Sequence, residues 1–248
     1  MSLGVFIGLR VGIDMKLFPS NPAEGTPSYL DEVRSPDKRL RMRYFAGPSG
    51  GATGFYPVAV SYDASSSTGA DNGLYFEQLT GTISGNDAGV RIAVFEEIPP
   101  FADSLYIVKF RIMDNTDIRA FVGWTTESYN AINDNDTIGG DAVGFQFSSS
   151  RGDTTWQLIT NNGGTQTTTD SGLAFVTSQI YIVEMEWSGV GTSVRFRISD
   201  QNFNALMQDT VVTSNLPAVT SDLSPLNSLQ TLATAAKTCR FYWRESWY

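Results

Sequence analysis

The 248-residue sequence contains no histidine, and this absence excludes several kinds of chemistry at once. Ser-His-Asp and Cys-His triads, histidine zinc sites and imidazole acid-base catalysis all need the missing side chain. Serine hydrolases that use a lysine base stay formally open. Ser35 and Lys38 have the S-x-x-K spacing, but they lie in the proline-rich N-terminal stretch and not in a recognisable catalytic setting. The sequence therefore predicts that the chain is not an enzyme and needs no cofactor.

Cysteine is nearly absent as well, because Cys239 is the only one in the chain. It cannot form an intrachain disulfide, and a lone cysteine in an apolar strand pattern is typical of a small buried residue. The net charge of −9 would repel nucleic acid, so no DNA or RNA partner is predicted. No long apolar run occurs either, since Arg10 and Asp14 interrupt the apolar N-terminal stretch. We expect neither a membrane span nor a signal peptide, and synthesis in a cytoplasm.

The few charges are unevenly distributed along the chain. Residues 1–45 hold seven Lys or Arg and five Asp or Glu, net +2, and the remainder holds ten and twenty-one, net −11, which sum to −9. The basic end includes Arg39, Arg41 and Arg43, which either dock on an acidic partner surface or form the solvated face of an ordinary strand. These three arginines are candidate assembly-interface residues.

Proline and glycine are concentrated near the N-terminus. Six of the ten prolines lie between Pro19 and Pro57, and GPSGGATG occupies 47–54. Such a composition disfavours long regular elements and favours an extended path. The sequence predicts an extended N-terminal arm for docking and assembly over residues 1–52, followed by one domain over 53–248.

Strand patterns recur at regular spacing from residue 53 onward. The segment 144–172 reads as three strands separated by polar turns at 148–153 and 161–164, and Gln146 faces away from Phe145 and Phe147. Apolar or alternating segments also lie at 73–82, 90–98, 104–113, 117–124, 179–187, 193–200, 202–212, 229–235 and 238–243. Many short strands without an amphipathic helix predict an all-β fold, a two-sheet antiparallel jelly-roll sandwich. The alternation leaves open which member of each pair of neighbouring residues faces inward. The expected core residues are Phe110, Ile112, Phe121, Trp124, Phe145, Trp156, Ile182, Trp187, Phe196 and Ile198.

Five motifs carry a family resemblance over residues 120–243. They are GW at 123–124, VGFQFSSSRGDTTWQLITNNGGTQTTTDSG at 143–172, YIVEMEW at 181–187, SVRFRIS at 193–199 and LQTLATAAKTCRFYW at 229–243. Their order resembles the concanavalin A-like lectin/glucanase jelly-roll domains of tailed-bacteriophage structural proteins. The resemblance implies a virion component made in a host cytoplasm, such as a capsid decoration, head-fibre, tail or fibre protein. It also implies other virion proteins as partners and a homo-oligomer, with a trimer as one form.

Glu184 and Glu186 are the sharpest indication of an enzyme. They lie two residues apart on one predicted strand, so both carboxylates leave the same face, as in retaining glycosidases with neighbouring acids. Laminarinase-like members carry E-x-D-x-x-E, whereas Met185 takes the middle position here and no acid follows Trp187. A solvent-facing polar edge is therefore favoured over a hydrolase site.

A loop rich in Asn and Asp offers a candidate ligand site. The side-chain oxygens of this loop suit calcium. Their spacing, however, does not fit an EF-hand loop, and clusters of Asn and Asp are also common in ordinary turns. No metal is therefore predicted. Tyr129, which precedes the loop, offers a ring on which a sugar could stack. Trp124 is better explained as a core residue. The candidate glycan-binding residues are Tyr129, Asn133, Asp134 and Asp136.

Two further motifs invite a functional interpretation. Arg151, Gly152 and Asp153 spell RGD, but a turn between two strands accounts for them fully. Trp247 and Tyr248 are expected beyond the last core strand, where exposed aromatic residues are typical interface anchors. Deleting residues 245–248 is accordingly expected to impair assembly and leave the domain folded.

Three functions remain open from the sequence. The main interpretation is a bacteriophage structural protein with a displayed jelly roll and an anchoring arm. The alternative is a glycan-binding module of a fibre, which would attach the particle to a host polysaccharide. A glycoside hydrolase that uses Glu184 and Glu186 is the third and least favoured.

Overall fold

A computed structural model describes eleven stretches of the chain. They are residues 40–45, 58–61, 68–71, 76–85, 87–91, 104–126, 136–187, 191–203, 205–218, 221 and 223–247. All of them belong to one compact unit, residues 38–248. None of the described segments is a helix that could cross a membrane.

Fifteen strands and no helix lie in the described residues. They are β1 (Leu40–Phe45), β2 (Val58–Ser61), β3 (Thr68–Asp71), β4 (Phe76–Leu79), β5 (Asp87–Arg91), β6 (Leu105–Ile112), β7 (Ile118–Thr125), β8 (Asp141–Ser148), β9 (Thr155–Asn162), β10 (Gln166–Ala174), β11 (Ile180–Trp187), β12 (Val194–Ser199), β13 (Leu206–Val212), β14 (Ser224–Thr231) and β15 (Thr238–Trp247).

The strands form two antiparallel sheets. The eight-stranded sheet has the order β13-β12-β11-β6-β15-β4-β3, and β1 adds a further pairing to β15. The seven-stranded sheet has the order β10-β9-β8-β7-β14-β5-β2. Each sheet has one inward and one outward face because side chains alternate along a strand. The predicted two-sheet antiparallel sandwich is confirmed.

The meander expected between residues 144 and 172 is present as β8, β9 and β10. Phe145 is opposite Leu158, and Thr169 is opposite Leu158 on the other side. The second turn is closed by Gly163, whose φ of 80° is a conformation that glycine adopts without a steric penalty. The Gly163 amide donates to Asn161 Oδ1 at 2.9 Å, which completes the turn with side-chain chemistry.

Aromatic rings fill the space between the two sheets. The Trp124 ring is stacked on Trp187 with centroids 6.3 Å apart and lies 5.5 Å from Tyr106. Trp156 meets Phe110 edge to face at 5.6 Å. Each of these rings is fully buried, so they supply much of the apolar area that drives folding. The buried position expected for Cys239 is confirmed, and its burial raises the pKa of the thiol.

Two of the ten expected core residues do not lie between the sheets. Phe121 packs on the outward face of the seven-stranded sheet and Ile182 on the outward face of the eight-stranded sheet, although both are buried. A one-residue shift moves a strand residue to the opposite face, and in fully buried strands both faces are apolar, so alternation does not separate them. The other eight belong to the central cluster.

Phe121 occupies the outward face because two paired glycines make room for its ring. Gly123 is directly opposite Gly144 on the neighbouring strand. A Cβ added to Gly144 would lie 2.6 Å from two atoms of the Phe121 ring, and one added to Gly123 would lie 2.2 Å from the Val143 carbonyl oxygen. The glycines thus let one aromatic ring lie close to the backbone of β7 and β8.

The expected strand at 229–235 is displaced, because β14 runs over Ser224–Thr231. Pro225 reads as a strand breaker in the sequence. In the sheet Pro225 is opposite Trp124 on β7, while the pairing of β14 with β5 begins only at Leu226. The proline is tolerated because it lies beyond the end of one of the two ladders.

The C-terminal prediction also needs correction, because the last strand does not end at residue 243. β15 continues to Trp247, which is opposite Leu105 on one side and Leu40 on the other. Strands on both sides supply backbone partners for this extension, a long-range pairing that a local pattern does not show. Trp247 is therefore part of a strand within the sheet.

The segment predicted as an arm contains one of these partners, β1. Arg41 and Arg43 lie in this strand, and Arg43 is directly opposite Glu245. The division of the chain at residue 52 stays a prediction.

Candidate functional site

The outward face of the seven-stranded sheet carries an apolar patch among polar side chains. The patch is Phe121 on β7 and Leu226 on β14, which pack with Ile138, Ala142 and Ile159. The other outward side chains of β8, β9 and β10 include amides, hydroxyls and a carboxylate. We call this polar part the β8–β10 face, and it consists of Gln146, Ser148, Thr155, Gln157, Gln166, Thr168 and Asp170.

The strand register orders these side chains in rows across the sheet. Ser228, Phe121, Gln146, Gln157 and Asp170 are successive neighbours on β14, β7, β8, β9 and β10. Neighbouring strands lie about 4.8 Å apart, so this row places an aromatic ring between two polar groups and extends to the exposed Asp170 at the sheet edge.

Asp136 lies at one end of the β8–β10 face and is bound by three side chains. Its Oδ1 accepts from Arg119 Nε at 2.9 Å and from Ser148 Oγ at 2.5 Å, and its Oδ2 accepts from Ser150 Oγ at 3.0 Å. Arg119 also donates through Nη1 to Gln230 Oε1 at 2.7 Å. The carboxylate is thus held by a guanidinium and two hydroxyls.

These hydrogen bonds determine the charge state of Asp136. Partial burial on its own would raise the pKa of this carboxyl. The hydrogen bonds from Ser148, Arg119 and Ser150 outweigh burial and hold the pKa of Asp136 below its ordinary value. Asp136 is therefore an anion at neutral pH with its lone pairs already engaged.

The segment 136–140 is fastened to the sheet by amide side chains as well. Gln166 Oε1 accepts from the Ile138 amide at 2.8 Å, while its Nε2 donates to the Asp136 carbonyl at 3.2 Å. Asn161 donates from Nδ2 to the Ile138 carbonyl. With the segment held in this way, the Ile138 side chain packs in one apolar cluster with Phe121 and Ile159. The segment therefore covers the apolar part of the outward face.

The first and third residues of the RGD tripeptide, Arg151 and Asp153, form an ion pair with each other. Arg151 Nε donates to Asp153 Oδ1 at 2.8 Å and Nη2 donates to Oδ2 at 2.6 Å, a bidentate pair. The Ser148 amide donates to the same Asp153 Oδ2 at 2.8 Å. Only 6% of the Asp153 side chain is exposed, so the tripeptide serves the turn between β8 and β9.

Among the described residues, two buried polar groups of this outward face have no hydrogen-bond partner. Gln146 is fully buried, and its Oε1 accepts from Arg151 Nη1 at 2.8 Å, but no group in the described part of the chain accepts from its Nε2. The Ser228 hydroxyl, which is 3% exposed as a residue, is in the same situation. A buried donor without an acceptor destabilises a fold by about 1–3 kcal/mol.

The acid pair Glu184 and Glu186 lies on the outward face of the other sheet, and one arginine binds both carboxylates. Arg197 Nε is 3.1 Å from Glu184 Oε2, and Arg197 Nη2 is 2.7 Å from Glu186 Oε2. Glu184 is 1% exposed. The two acids do leave the same face, but they form a partly buried ion-pair network with Arg197.

The structure describes only part of the predicted sites. Among the glycan candidates it places Asp136 at the β8–β10 face, while Tyr129, Asn133 and Asp134 lie outside the described residues. Among the interface candidates it places the backbones of Arg41, Arg43 and Trp247 in strands, while Arg39 and Tyr248 lie outside. Their roles stay predictions.

The residues that sequence reasoning missed are Gln146, Gln157, Arg119 and Ser228. A signal existed for Gln146, because a polar residue between two core phenylalanines must point away from the core. Arg119 and Ser228 gave no comparable signal, since the residues beside them in the sheet are distant in the sequence.

No protein-family model and no curated protein sequence matches this chain. Its fold, however, is shared with known structures. A protein of unknown function from Shewanella oneidensis MR-1 superposes with a TM-score of 0.55 and 13% identity over 92% of this chain and 95% of that one. A winged bean acidic lectin complexed with methyl-α-D-galactose superposes with a TM-score of 0.55 and 9% identity over 83% of this chain and 98% of that one. A β-1,3-1,4-glucanase (lichenase) derived from a mouse hindgut metagenome superposes with a TM-score of 0.51 and 13% identity over 83% of this chain and 97% of that one.

The chain has the concanavalin A-like jelly-roll fold. This part of the resemblance seen in the sequence is confirmed, whereas the comparisons do not link the chain to bacteriophage proteins. At these identities the similarity establishes the fold alone, because this fold carries different functions on different residues. Function has to be argued from the chain's own side chains.

Proposed function

We propose that the chain is a glycan-binding jelly-roll module whose ligand lies on the β8–β10 face. The observation that carries the proposal is the composition of this face, where hydroxyls, an amide and a carboxylate reach the surface on β9 and β10. Sugars present many hydroxyl groups, which such polar side chains bind through hydrogen bonds. A lectin is among the proteins that share the fold, which supports the same assignment.

Exposure favours the β9 and β10 side of this face as the place where a sugar first makes contact. Thr168 and Asp170 are exposed, and Thr155 and Gln166 are partly exposed. Thr155 donates to Asp170 Oδ1, and this hydrogen bond holds the pKa of Asp170 below its ordinary value. The exposed carboxylate keeps its charge and can accept from sugar hydroxyls.

We further propose that the chain does not hydrolyse its ligand. A retaining glycosidase needs one acid that is protonated and one carboxylate that attacks the sugar. Glu184 and Glu186 are both ion-paired with Arg197, and Glu184 is 1% exposed, so neither carboxylate is placed to attack or protonate a sugar without breaking this network. An assay of polysaccharide hydrolysis with the wild type and Glu184→Gln tests this, and hydrolysis by the wild type that is lost in the variant would contradict it.

A role in a bacteriophage particle is the finer form of the proposal, and the motif order over residues 120–243 is its only support. In that setting the module would bind host polysaccharide from a tail or fibre, and the chain would form a homo-oligomer with other virion proteins as partners. Mass spectrometry of purified particles tests this setting without bearing on glycan binding itself.

A glycan array probed with the full chain tests the glycan-binding proposal. We expect binding to a restricted set of glycans, confirmed by calorimetry with a dissociation constant in the micromolar to millimolar range, about 10⁻⁶ to 10⁻³ M. A chain that is folded by circular dichroism and binds no glycan of the array would contradict the proposal.

A further inference from the structure

The exposed Asp170 carboxylate allows the ligand class to be narrowed, an inference that rests on the proposed glycan-binding function. Asp170 lies on β10, the edge strand of the seven-stranded sheet. Both of its hydrogen bonds end on one oxygen, because Thr155 Oγ1 donates to Oδ1 at 2.5 Å and the Gly172 amide donates to Oδ1 at 2.8 Å. No group in the described part of the chain donates to Oδ2. This second oxygen is therefore the one that a ligand can reach.

A chain of hydrogen bonds fixes the direction of the Thr155 hydroxyl. Gln157 Nε2 donates to the Thr155 carbonyl at 3.3 Å and to Thr155 Oγ1 at 3.0 Å. Because Oγ1 accepts from Gln157, the single proton of the hydroxyl is directed to Asp170 Oδ1. Gln157 is only 8% exposed, so the chain runs from a buried amide to an exposed carboxylate and orients that carboxylate before any ligand binds.

No cation pairs with Asp170 in the described residues. The arginines on this side of the sheet, Arg119 and Arg151, are paired with Asp136 and Asp153. Hydrogen bonds alone hold the pKa of Asp170 below its ordinary value, so the carboxylate is an anion without a counter-charge. An anionic ligand would meet a like charge here, whereas an ammonium group would supply the opposite charge together with hydrogen-bond donors.

Thr168 adds a hydroxyl to the same exposed strip. It lies two residues from Asp170 on the same face of β10, or about 6.8 Å along the strand. Its Oγ1 accepts from Gln166 Nε2 at 3.1 Å, so its own proton is available to a ligand oxygen. Both Thr168 and Asp170 are exposed. The strip thus combines an anionic acceptor with a hydroxyl donor, and a ligand that fits both has an ammonium group and hydroxyl groups.

We infer that the β8–β10 face binds amino sugars that carry a free amine, with the ammonium group on Asp170 Oδ2 and a sugar hydroxyl on Thr168. The ammonium forms a charge-assisted hydrogen bond with the oriented carboxylate. A neutral or N-acetylated sugar lacks the charge, and a uronic acid has the opposite one. A polyamine has the charge but offers no oxygen to Thr168.

Calorimetry with the full chain at about pH 5.5, where both the amine and Asp170 are charged, tests this inference. The probes are a glucosamine oligosaccharide, the matching N-acetylglucosamine and glucose oligosaccharides, an oligomer of glucuronic acid, and spermidine. We expect the glucosamine oligosaccharide to bind about fivefold more tightly than each of the others, the size of effect that an exposed ion pair gives.

The other outcomes separate this inference from the proposed function. Equal binding of the glucosamine and glucose oligosaccharides, or a preference for the glucuronic acid oligomer, would overturn the inference and leave glycan binding intact. Spermidine that binds as tightly as the glucosamine oligosaccharide would overturn the assignment to a sugar. A folded chain that binds none of these oligosaccharides and no glycan of the array would overturn both the inference and the proposed function.

The variant Asp170→Asn isolates the charge. It keeps the size of the side chain, and the preference for the glucosamine oligosaccharide should fall to less than about twofold. Asp117→Asn is the matched control, because it removes the same charge at an exposed turn position whose φ of 52° asparagine tolerates. The two variants have the same net charge, so the general field of an acidic chain affects both alike. A preference that is kept in Asp170→Asn, or that falls equally in both variants, would overturn the role of Asp170.

Thr155 provides a second test that leaves the carboxylate in place. Thr155→Val removes the hydroxyl that orients Asp170, whereas Thr155→Ser retains it. We expect Thr155→Val to weaken binding of the glucosamine oligosaccharide by about twofold or more and Thr155→Ser to bind like the wild type. Equal binding by the two variants would overturn the positioning role of Thr155.

Discussion

Asp136 shows how much of a residue's environment in the fold the sequence does not predict. Its place in an Asn/Asp loop suggested a ligand oxygen, yet its carboxylate accepts from Arg119, Ser148 and Ser150. Those partners are up to 17 residues away in the sequence and come from β7, β8 and the following turn. No local pattern predicts such a set of donors. By contrast, the buried positions of Trp124 and Cys239 follow from local alternation, and the structure confirms both.

We predict that Asp136→Asn destabilises the fold at neutral pH. The pKa of Asp136 lies below its ordinary 3.8 in the folded chain, so its stabilising effect is present above that value and is lost as the pH falls through the lowered pKa. The free energy of unfolding should drop by about 1–2 kcal/mol at pH 7. Urea unfolding at pH 7 and at about pH 3 should show a difference between wild type and variant that shrinks in acid.

Asp170→Asn is the matched control for that experiment. Asp170 is exposed and accepts a hydrogen bond from Thr155 at the sheet edge. Its replacement should therefore lower the free energy of unfolding much less than that of Asp136 at the same pH. Equal losses in the two variants, or a loss at Asp136 that is independent of pH, would show that the three donors do not stabilise the charged carboxylate.

At the scale of the strand, charge alternates across β11, β12 and β13 on the outward face of the eight-stranded sheet. Glu184 and Glu186 face Arg197 and Arg195 on β12, and Arg195 in turn pairs with Asp209 on β13. The spacing of the two acids on one face could be predicted from the sequence. Their shared partner could not, because it depends on the register of two strands.

We predict that Arg197→Met lowers the free energy of unfolding far more than Arg195→Met does, although both arginines lie on β12 and point outward. Losing Arg197 removes a cation that lies 3.1 Å from the carboxylate of the buried Glu184, and breaking a buried ion pair typically lowers the free energy of unfolding by about 3–5 kcal/mol. The Arg195 side chain is 47% exposed, so its bridge to Asp209 contributes less than about 1 kcal/mol. Urea unfolding measures both, and similar losses would contradict the ion-pair network described for Glu184.

The C-terminal strand gives a second prediction at this scale, and it differs from the one drawn from sequence. Deleting residues 244–248 removes four paired positions with β1 and four with β6. Backbone pairing on both sides makes this end of the chain integral to the sheet, so the deletion should lower the melting temperature by at least about 4 °C. Deleting Tyr248 alone, which leaves every one of those pairs in place, is the control. A five-residue deletion with an unchanged melting temperature would contradict the extended β15.

At the scale of the whole molecule, the sandwich could be predicted because its cause is local. Alternation, turn residues and the lack of helical periodicity occur within short windows, and each of them points to two antiparallel sheets. The make-up of the outward face of the seven-stranded sheet depends on residues such as Phe121 and Ser228, which are brought together by pairing across β7, β8 and β14. Both faces of a buried strand are apolar, so the sequence predicted that Phe121 is buried and left open which face it occupies.

Titration calorimetry of the best array glycan against three forms of the chain tests the central claim most directly. Thr168→Arg adds a large side chain to an exposed position of the β8–β10 face, while Val211→Arg adds the same side chain to the outward face of the other sheet, where Val211 is 56% exposed. We predict that the wild type and Val211→Arg bind alike and that Thr168→Arg loses at least about tenfold in affinity. Binding that survives Thr168→Arg and is lost in Val211→Arg would place the ligand on the other sheet and contradict the account.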